Sequence, residues 1–184
     1  APWEEKFDAA LTSKADFHGV SGTRKVDMMS RKGSYNYAEF QGCQMIELPY
    51  LGSSYSVFVV LPPEGMKIDS FLPYVNENVY KQAMGMLAPA QVKFRMPKVK
   101  METEMLLNDV LMGMGVRTAF TGAADFKGIS ETGPLVVSQV KQKCYIDITE
   151  TGTEAAAVTS IMVSLTSVRP EIDLKVMTVD RPYL

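Results

Sequence analysis

The chain has 184 residues and a mass of 20.3 kDa, with 19 basic and 21 acidic side chains and a net charge of −2. That length can bury a sizeable core in one domain or two small ones, and 46% hydrophobic with 22% charged residues excludes a disordered or fibrous chain. The near balance of charge, with no basic block, gives no reason to expect a nucleic-acid partner, and no apolar run reaches the roughly 18 residues of a membrane-spanning helix.

In chain order, residues 3–20 carry scattered aromatics (Trp3, Phe7, Phe17) within a polar loop. His18 sits in Asp-Phe-His-Gly-Val-Ser-Gly, a turn-like stretch, and reads as a solvent-facing loop histidine rather than a catalytic base. Strand-like segments follow at Lys25–Met29, Ser34–Phe40, Gln44–Pro49 and Tyr55–Leu61, the last a β-branched and aromatic run closed by Pro62-Pro63-Glu64-Gly65. Residues 68–87 are helix-like but broken by Pro73, which predicts two short helices. Val92–Met101 alternates, with Val92, Phe94 and Met96 on one face, and predicts a half-buried strand.

Glu102–Met114 predicts a helix, its apolar stripe of Met105, Leu106, Val110, Leu111 and Met114 closed by Gly115. Most of the 13 methionines, Met105 and Met114 among them, then read as core filling. Leu135–Thr149 predicts a long strand whose even face (Val136, Val140, Cys144, Ile146, Ile148) is buried. Gln142 falls on that face, as a satisfied core glutamine or as a hydrogen-bonded latch.

The chemistry-bearing residues are few. His18 is the one histidine, and Cys43 and Cys144 stand about 100 positions apart without CxxC spacing, so a structural zinc site is not expected. The cysteines read as buried thiols, with a single disulfide as the alternative. No GxSxG elbow or phosphate-cradling glycine loop is present, so neither an enzyme nor a cofactor is expected.

The segment 152–170 stands apart. From Ala155 to Val168 it has no charge, glycine or proline, which is unlike an exposed loop and compatible with a strand. Its odd positions run Thr153, Ala155, Ala157, Thr159, Ile161, Val163, Leu165, small residues first and then apolar ones. It reads as a central strand as easily as a loop. The chain opens Ala-Pro-Trp without an initiator methionine or a signal pattern and stops at Asp180-Arg-Pro-Tyr-Leu, which reads like the beginning of another strand; a piece of something longer is expected.

Glu150-Thr-Gly-Thr-Glu-Ala-Ala-Ala resembles the hinge of the reactive-centre loop of the serpins, the serine protease inhibitor family. Trp3-Glu-Glu-Lys-Phe, Met28-Met29, Glu47-Leu-Pro-Tyr, Val60-Leu-Pro, Pro97-Lys98, Gly115-Val-Arg-Thr-Ala-Phe, Ala124-Asp-Phe-Lys-Gly-Ile and Asp180-Arg-Pro-Tyr resemble serpin segments in serpin order. The resemblance spans essentially residues 1–184 and implies an α+β fold of mixed β-sheets with helices, only partly represented by this chain. The family's first half and final strands would lie outside it, and the large sheet would be left uncovered on one face.

The resemblance further implies a suicide-substrate protease inhibitor with a reactive-centre loop at about 150–170, or alternatively a non-inhibitory carrier, chaperone or storage protein. Its hinge would be Glu150, Gly152, Thr153, Glu154, Ala155, Ala156 and Ala157, with Val158 a mild departure from the small-residue pattern. Lys98 and Glu150 would pair where the sheet opens, with Trp3 nearby and Gln142 where the family usually has a histidine. The reactive bond would join Thr166 and Ser167, with Leu165 and Thr166 the alternative, and Met162 a more distant one. The implied partner is a target protease with a small or apolar primary pocket, serine class or papain-like. The implied compartment is extracellular, periplasmic or cell-surface.

Overall fold

The structure is a computed structural model that describes residues 1–52, 54–129, 135–153 and 173–184. Two compact units are present: residues 1–99 with 147–184, and residues 100–146.

The first unit is built on a sheet whose strands are β1 (Ser13–Gly19), β2 (Gly22–Phe40), β3 (Cys43–Pro49), β4 (Ser56–Leu61), β5 (Ala88–Pro97) and β9 (Lys175–Thr178). The order is β4-β3-β2-β5-β9, with β1 also paired to β2. All pairs are antiparallel except β5 with β9. The two strands expected at 25–29 and 34–40 are one 19-residue strand, because its ladder with β5 runs unbroken from Met28 to Tyr37. Its hairpins are tight. β1 turns into β2 through Val20-Ser21, and β2 into β3 through Gln41 (φ 50°) and Gly42 (φ 80°), the left-handed pair that matches strand twist.

The alternation of β5 delivers Val92, Phe94 and Met96 to the core at 0–1% exposure. Phe94 packs against Phe7 at 6.0 Å and edge-on to Tyr35 at 5.8 Å. Successive strand residues face opposite sides, yet Met28 and Met29 are both fully buried, so the sheet is covered on both faces there. Pro73 lies in a 3-10 turn (Leu72–Tyr74) that follows α1 (Ile68–Phe71) and precedes α2 (Glu77–Met86), so two short helices form as expected. Asn76 caps α2 by accepting from the amides of Asn78 and Val79, both at 3.1 Å.

Other expectations change. His18 lies on β1 instead of in a loop, exposed, with Nδ1 2.9 Å from the Thr23 hydroxyl. Residues 180–184 form no strand, although Leu184 exchanges two backbone hydrogen bonds with Val60.

The second unit holds most of β6 (Val99–Leu106), α3 (Asn108–Gly113) and the first part of β7 (Lys141–Thr149), with β6 beside β7. The helix expected at 102–114 is thus a strand and then a short helix. Met101, Thr103 and Met105 alternate with Glu102 and Glu104, a period of two that the helical stripe obscured. Glu104 receives Lys141 at 2.6 Å and Lys143 at 3.0 Å, and these two ammonium groups lower its pKa. Asn108 accepts from the Val140 amide at 2.8 Å and donates to the Ser138 carbonyl at 3.0 Å.

Met105 and Met114 are exposed instead of core. The even face of β7 is also exposed at Gln142 and Cys144, half-buried at Ile146 and buried only at Ile148. Both cysteines are free thiols, Cys43 buried and Cys144 exposed. No described helix is long and apolar enough to cross a membrane.

Candidate functional site

The site lies where β7 ends. Glu150-Thr151 form a two-residue turn that folds Gly152–Thr153, the short strand β8, back along β7, pairing Thr149 with Gly152 and Ile148 with Thr153. The Thr149 hydroxyl braces the turn by donating to the Gly152 carbonyl at 3.1 Å.

The opposite edge of β8 is also occupied. Pro2 bridges Gly152, the Thr153 amide donates to the Ala1 carbonyl at 2.9 Å, and the Trp3 amide donates to the Thr151 carbonyl at 3.0 Å. The Ala1 nitrogen in turn donates to the Thr153 carbonyl. β8 is therefore laid between β7 and the segment 1–3.

This close approach explains Gly152. Its φ is +155°, and a Cβ there would fall 2.2 Å from the Ala1 carbonyl oxygen and 2.7 Å from the Pro2 Cα. The backbone of Ala1 and Pro2 leaves room for hydrogen alone.

Glu150, at the turn, is held from two sides. The Lys98 ammonium lies 2.9 Å from one carboxylate oxygen, and the Thr12 hydroxyl donates to the other at 2.9 Å. Lys98 itself is fixed at the end of β5, where its amide donates to the Asp27 carbonyl at 2.8 Å. Burial pushes the Glu150 pKa up, but hydrogen bonds from Lys98, backbone and Thr12, with the charge of Lys98, outweigh it and leave the carboxyl below its usual range.

Trp3 is buried at 2% exposure and donates its indole N–H to the Thr149 carbonyl at 3.0 Å. Its ring stacks on Tyr50 at 4.9 Å and 3°. Tyr50 in turn donates its hydroxyl to the Thr153 hydroxyl at 2.8 Å.

Trp3, Lys98, Glu150, Gly152 and Thr153 thus converge in one cluster. Gln142 belongs to the second unit, exposed, with its amide donating to the Cys144 sulfur at 3.3 Å. A core glutamine is overturned there. Among the described residues no layer covers that stretch of β7. Glu154, Ala155, Ala156, Ala157, Val158, Met162, Leu165, Thr166 and Ser167 lie outside the described residues.

Two members of the cluster were missed, Thr12 and Tyr50. Thr12 lay within a stretch read as polar loop, and Tyr50 stood only inside the Glu47-Leu-Pro-Tyr resemblance. Their partners are 138 and 103 positions away, beyond the reach of any local pattern.

The arrangement is a main-chain one, a two-residue strand held on both edges by backbone pairing. Among the described residues no group of three or more His, Cys, Asp and Glu side chains is placed to hold a metal ion.

Residues 1–184 match the family model of the serpins, the serine protease inhibitors. The chain belongs to the serpin family, and its fold is the serpin fold in part. An uncharacterized serpin-like protein of Thermococcus kodakarensis is 35% identical over 187 residues, covering 100% of this chain and 43% of the relative. Among solved structures, the thermophilic serpin tengpin in its native state is 28% identical with a TM-score of 0.82. Human thyroxine-binding globulin, complexed with thyroxine, is 26% identical with a TM-score of 0.84. Each match covers 100% of this chain and 48% of the solved one. The chain thus spans about half the length of the relatives it matches.

Proposed function

We propose that the protein to which this chain belongs is a protease inhibitor that acts as a suicide substrate and not as an enzyme. The observation that carries this reading is β8: Gly152–Thr153 already occupies a slot between β7 and residues 1–3. The uncharged, small-residue sequence that follows suits continuation of that strand.

In this reading residues 150–170 are a loop offered to a protease and cleaved at Thr166-Ser167, with Leu165-Thr166 the alternative bond. Once the acyl-enzyme has formed, the hinge side (Gly152, Thr153, Glu154, Ala155, Ala156, Ala157) zips into the large sheet. Each ladder hydrogen bond contributes roughly 0.5–1.5 kcal/mol, and side-chain burial adds to it. Pulling the enzyme out of shape removes about 10²–10³ of its deacylation rate for each oxyanion donor lost.

The Glu150–Lys98 pair and Trp3 mark where the sheet opens, and Gln142 replaces a histidine of the family's latch. Arg169 precedes Pro170, a bond that trypsin-like enzymes cut poorly. The target is therefore an enzyme with a small or apolar primary pocket, serine class or papain-like. It is met outside the cytoplasm, and the rest of the serpin completes the sheet.

The likeness to thyroxine-binding globulin supports a second reading, a non-inhibitory carrier. The hinge argues against it, because Ala155-Ala156-Ala157 carries none of the bulk, charge or proline that would block insertion.

The test mixes the full-length protein with a panel of serine and cysteine proteases. A complex that survives boiling in detergent is expected, with a C-terminal peptide beginning at Ser167. Loop cleavage should also raise the melting temperature markedly. Absence of a complex, or intact and cleaved proteins melting within a few degrees of each other, counts against inhibition.

A further inference from the structure

We infer that Tyr50 is a positioning residue for strand addition: its hydroxyl holds Thr153 in the first rung of the ladder and thereby sets how often a cleaved loop goes on to insert. The inference rests on the inhibitory reading above.

Three observations carry it. The Tyr50 hydroxyl donates to the Thr153 hydroxyl at 2.8 Å while Thr153 is paired with Ile148 on one side and bonded to Ala1 on the other. The phenol has a fixed direction, because its ring lies flat on Trp3 at 4.9 Å and 3°, and Trp3 is buried and tied to the Thr149 carbonyl. Nothing else among the described side chains bonds the Thr153 hydroxyl, so its orientation is left to Tyr50.

The sign follows from geometry. The bond is made with Thr153 already in the sheet, and extending the ladder past Thr153 keeps every partner where it stands. The hydrogen bond therefore favours the state with Thr153 laddered over one with Thr153 withdrawn. A ladder grows from a rung already formed, and the first rung is the costly one because it orders the chain for few bonds. Tyr50 thus promotes insertion. In the race against deacylation, a more populated first rung means more trapped enzyme and less cleaved, wasted inhibitor.

The experiment uses full-length protein and a protease that it traps. Tyr50→Phe keeps the stack on Trp3 and removes the hydroxyl, while Thr153→Val removes the acceptor and keeps the shape. Each should shift the ratio of cleaved inhibitor to covalent complex about fivefold toward cleavage, the effect of one lost hydrogen bond. The rate of initial loop cleavage should stay the same. The double variant should be no worse than either single one, because both delete the same bond.

Amide exchange at Thr153 should speed up in Tyr50→Phe while that at Met96, in the core, does not. A merely structural tyrosine would instead accelerate exchange in both places. A wild-type complex whose yield neither substitution alters, or additive effects in the double variant, overturns the inference and leaves the inhibitory reading standing. A wild type that forms no complex with any protease sinks both.

Discussion

Methionines on strands meet opposite fates in the two units. On the strands of the first, Met28, Met29, Met45, Met96 and Met177 are at most 1% exposed, whereas on β6 Met101 and Met105 are 55% and 49% exposed, and Met114, just past α3, is 77% exposed. Both sets sit in alternating or striped apolar patterns, so pattern alone does not bury a side chain. The first unit gives its central strand a ladder on each side and cover on both faces, while β6 is exposed along nearly its whole length. Periodicity says which face is apolar. A second layer decides whether that face leaves water.

The contrast is open to direct attack. Phe94→Ala removes a fully buried ring packed on Phe7 and Tyr35, and should cost about 3–5 kcal/mol by denaturant unfolding. Met114→Ala in the 184-residue chain should stay within about 0.5 kcal/mol. The same Met114→Ala change in the full-length protein should cost more than in the 184-residue chain if the remainder of the serpin covers that face. Equal costs in the two proteins would show that it does not.

At the junction, Gly152→Ala forces a methyl against the Ala1 and Pro2 backbone in a left-handed conformation, and should cost about 1–3 kcal/mol of thermal stability. An unchanged melting temperature would mean that β8 does not lie between β7 and residues 1–3. Thr153→Arg tests the function at the same place. A guanidinium at the first rung cannot be buried cheaply, so under the proposed inhibitory reading the full-length protein should become a plain substrate, cleaved without forming a stable complex.

The smallest effect is electrostatic. The Glu150 carboxyl has its pKa lowered in the folded state, so its stabilisation is full above the ordinary value of about 4.3 and is lost as pH falls through the lowered one. Because Lys98 is partly exposed, the pair should contribute about 1 kcal/mol or less. Thermal melts of wild type and Glu150→Gln should differ at pH 7 and converge once the pH has fallen through the lowered Glu150 pKa. A gap that persists in acid would assign the effect to something other than the ion pair.

What the sequence determined by itself is local. Proline at position 73 cannot continue a helix, and the helical run breaks there. Val92, Phe94 and Met96 alternate in a strand that does bury that face. The hinge octet was legible as a family resemblance before any geometry was known.

The tertiary structure decided the rest, because partners distant in sequence leave no local trace. The ten-pair ladder with β5 made one strand of two expected ones. Pairing with β7, where Lys141 and Lys143 reach Glu104, made the strand β6 of a stretch that carries a helical stripe. Thr12 and Tyr50 entered the site from positions 138 and 103 residues away from Glu150 and Thr153, respectively. Cys144 and Gln142 remained in water, although parity put them on the apolar face. A strand's period is set by its own backbone, but what lies against that strand is settled only when the chain closes on itself.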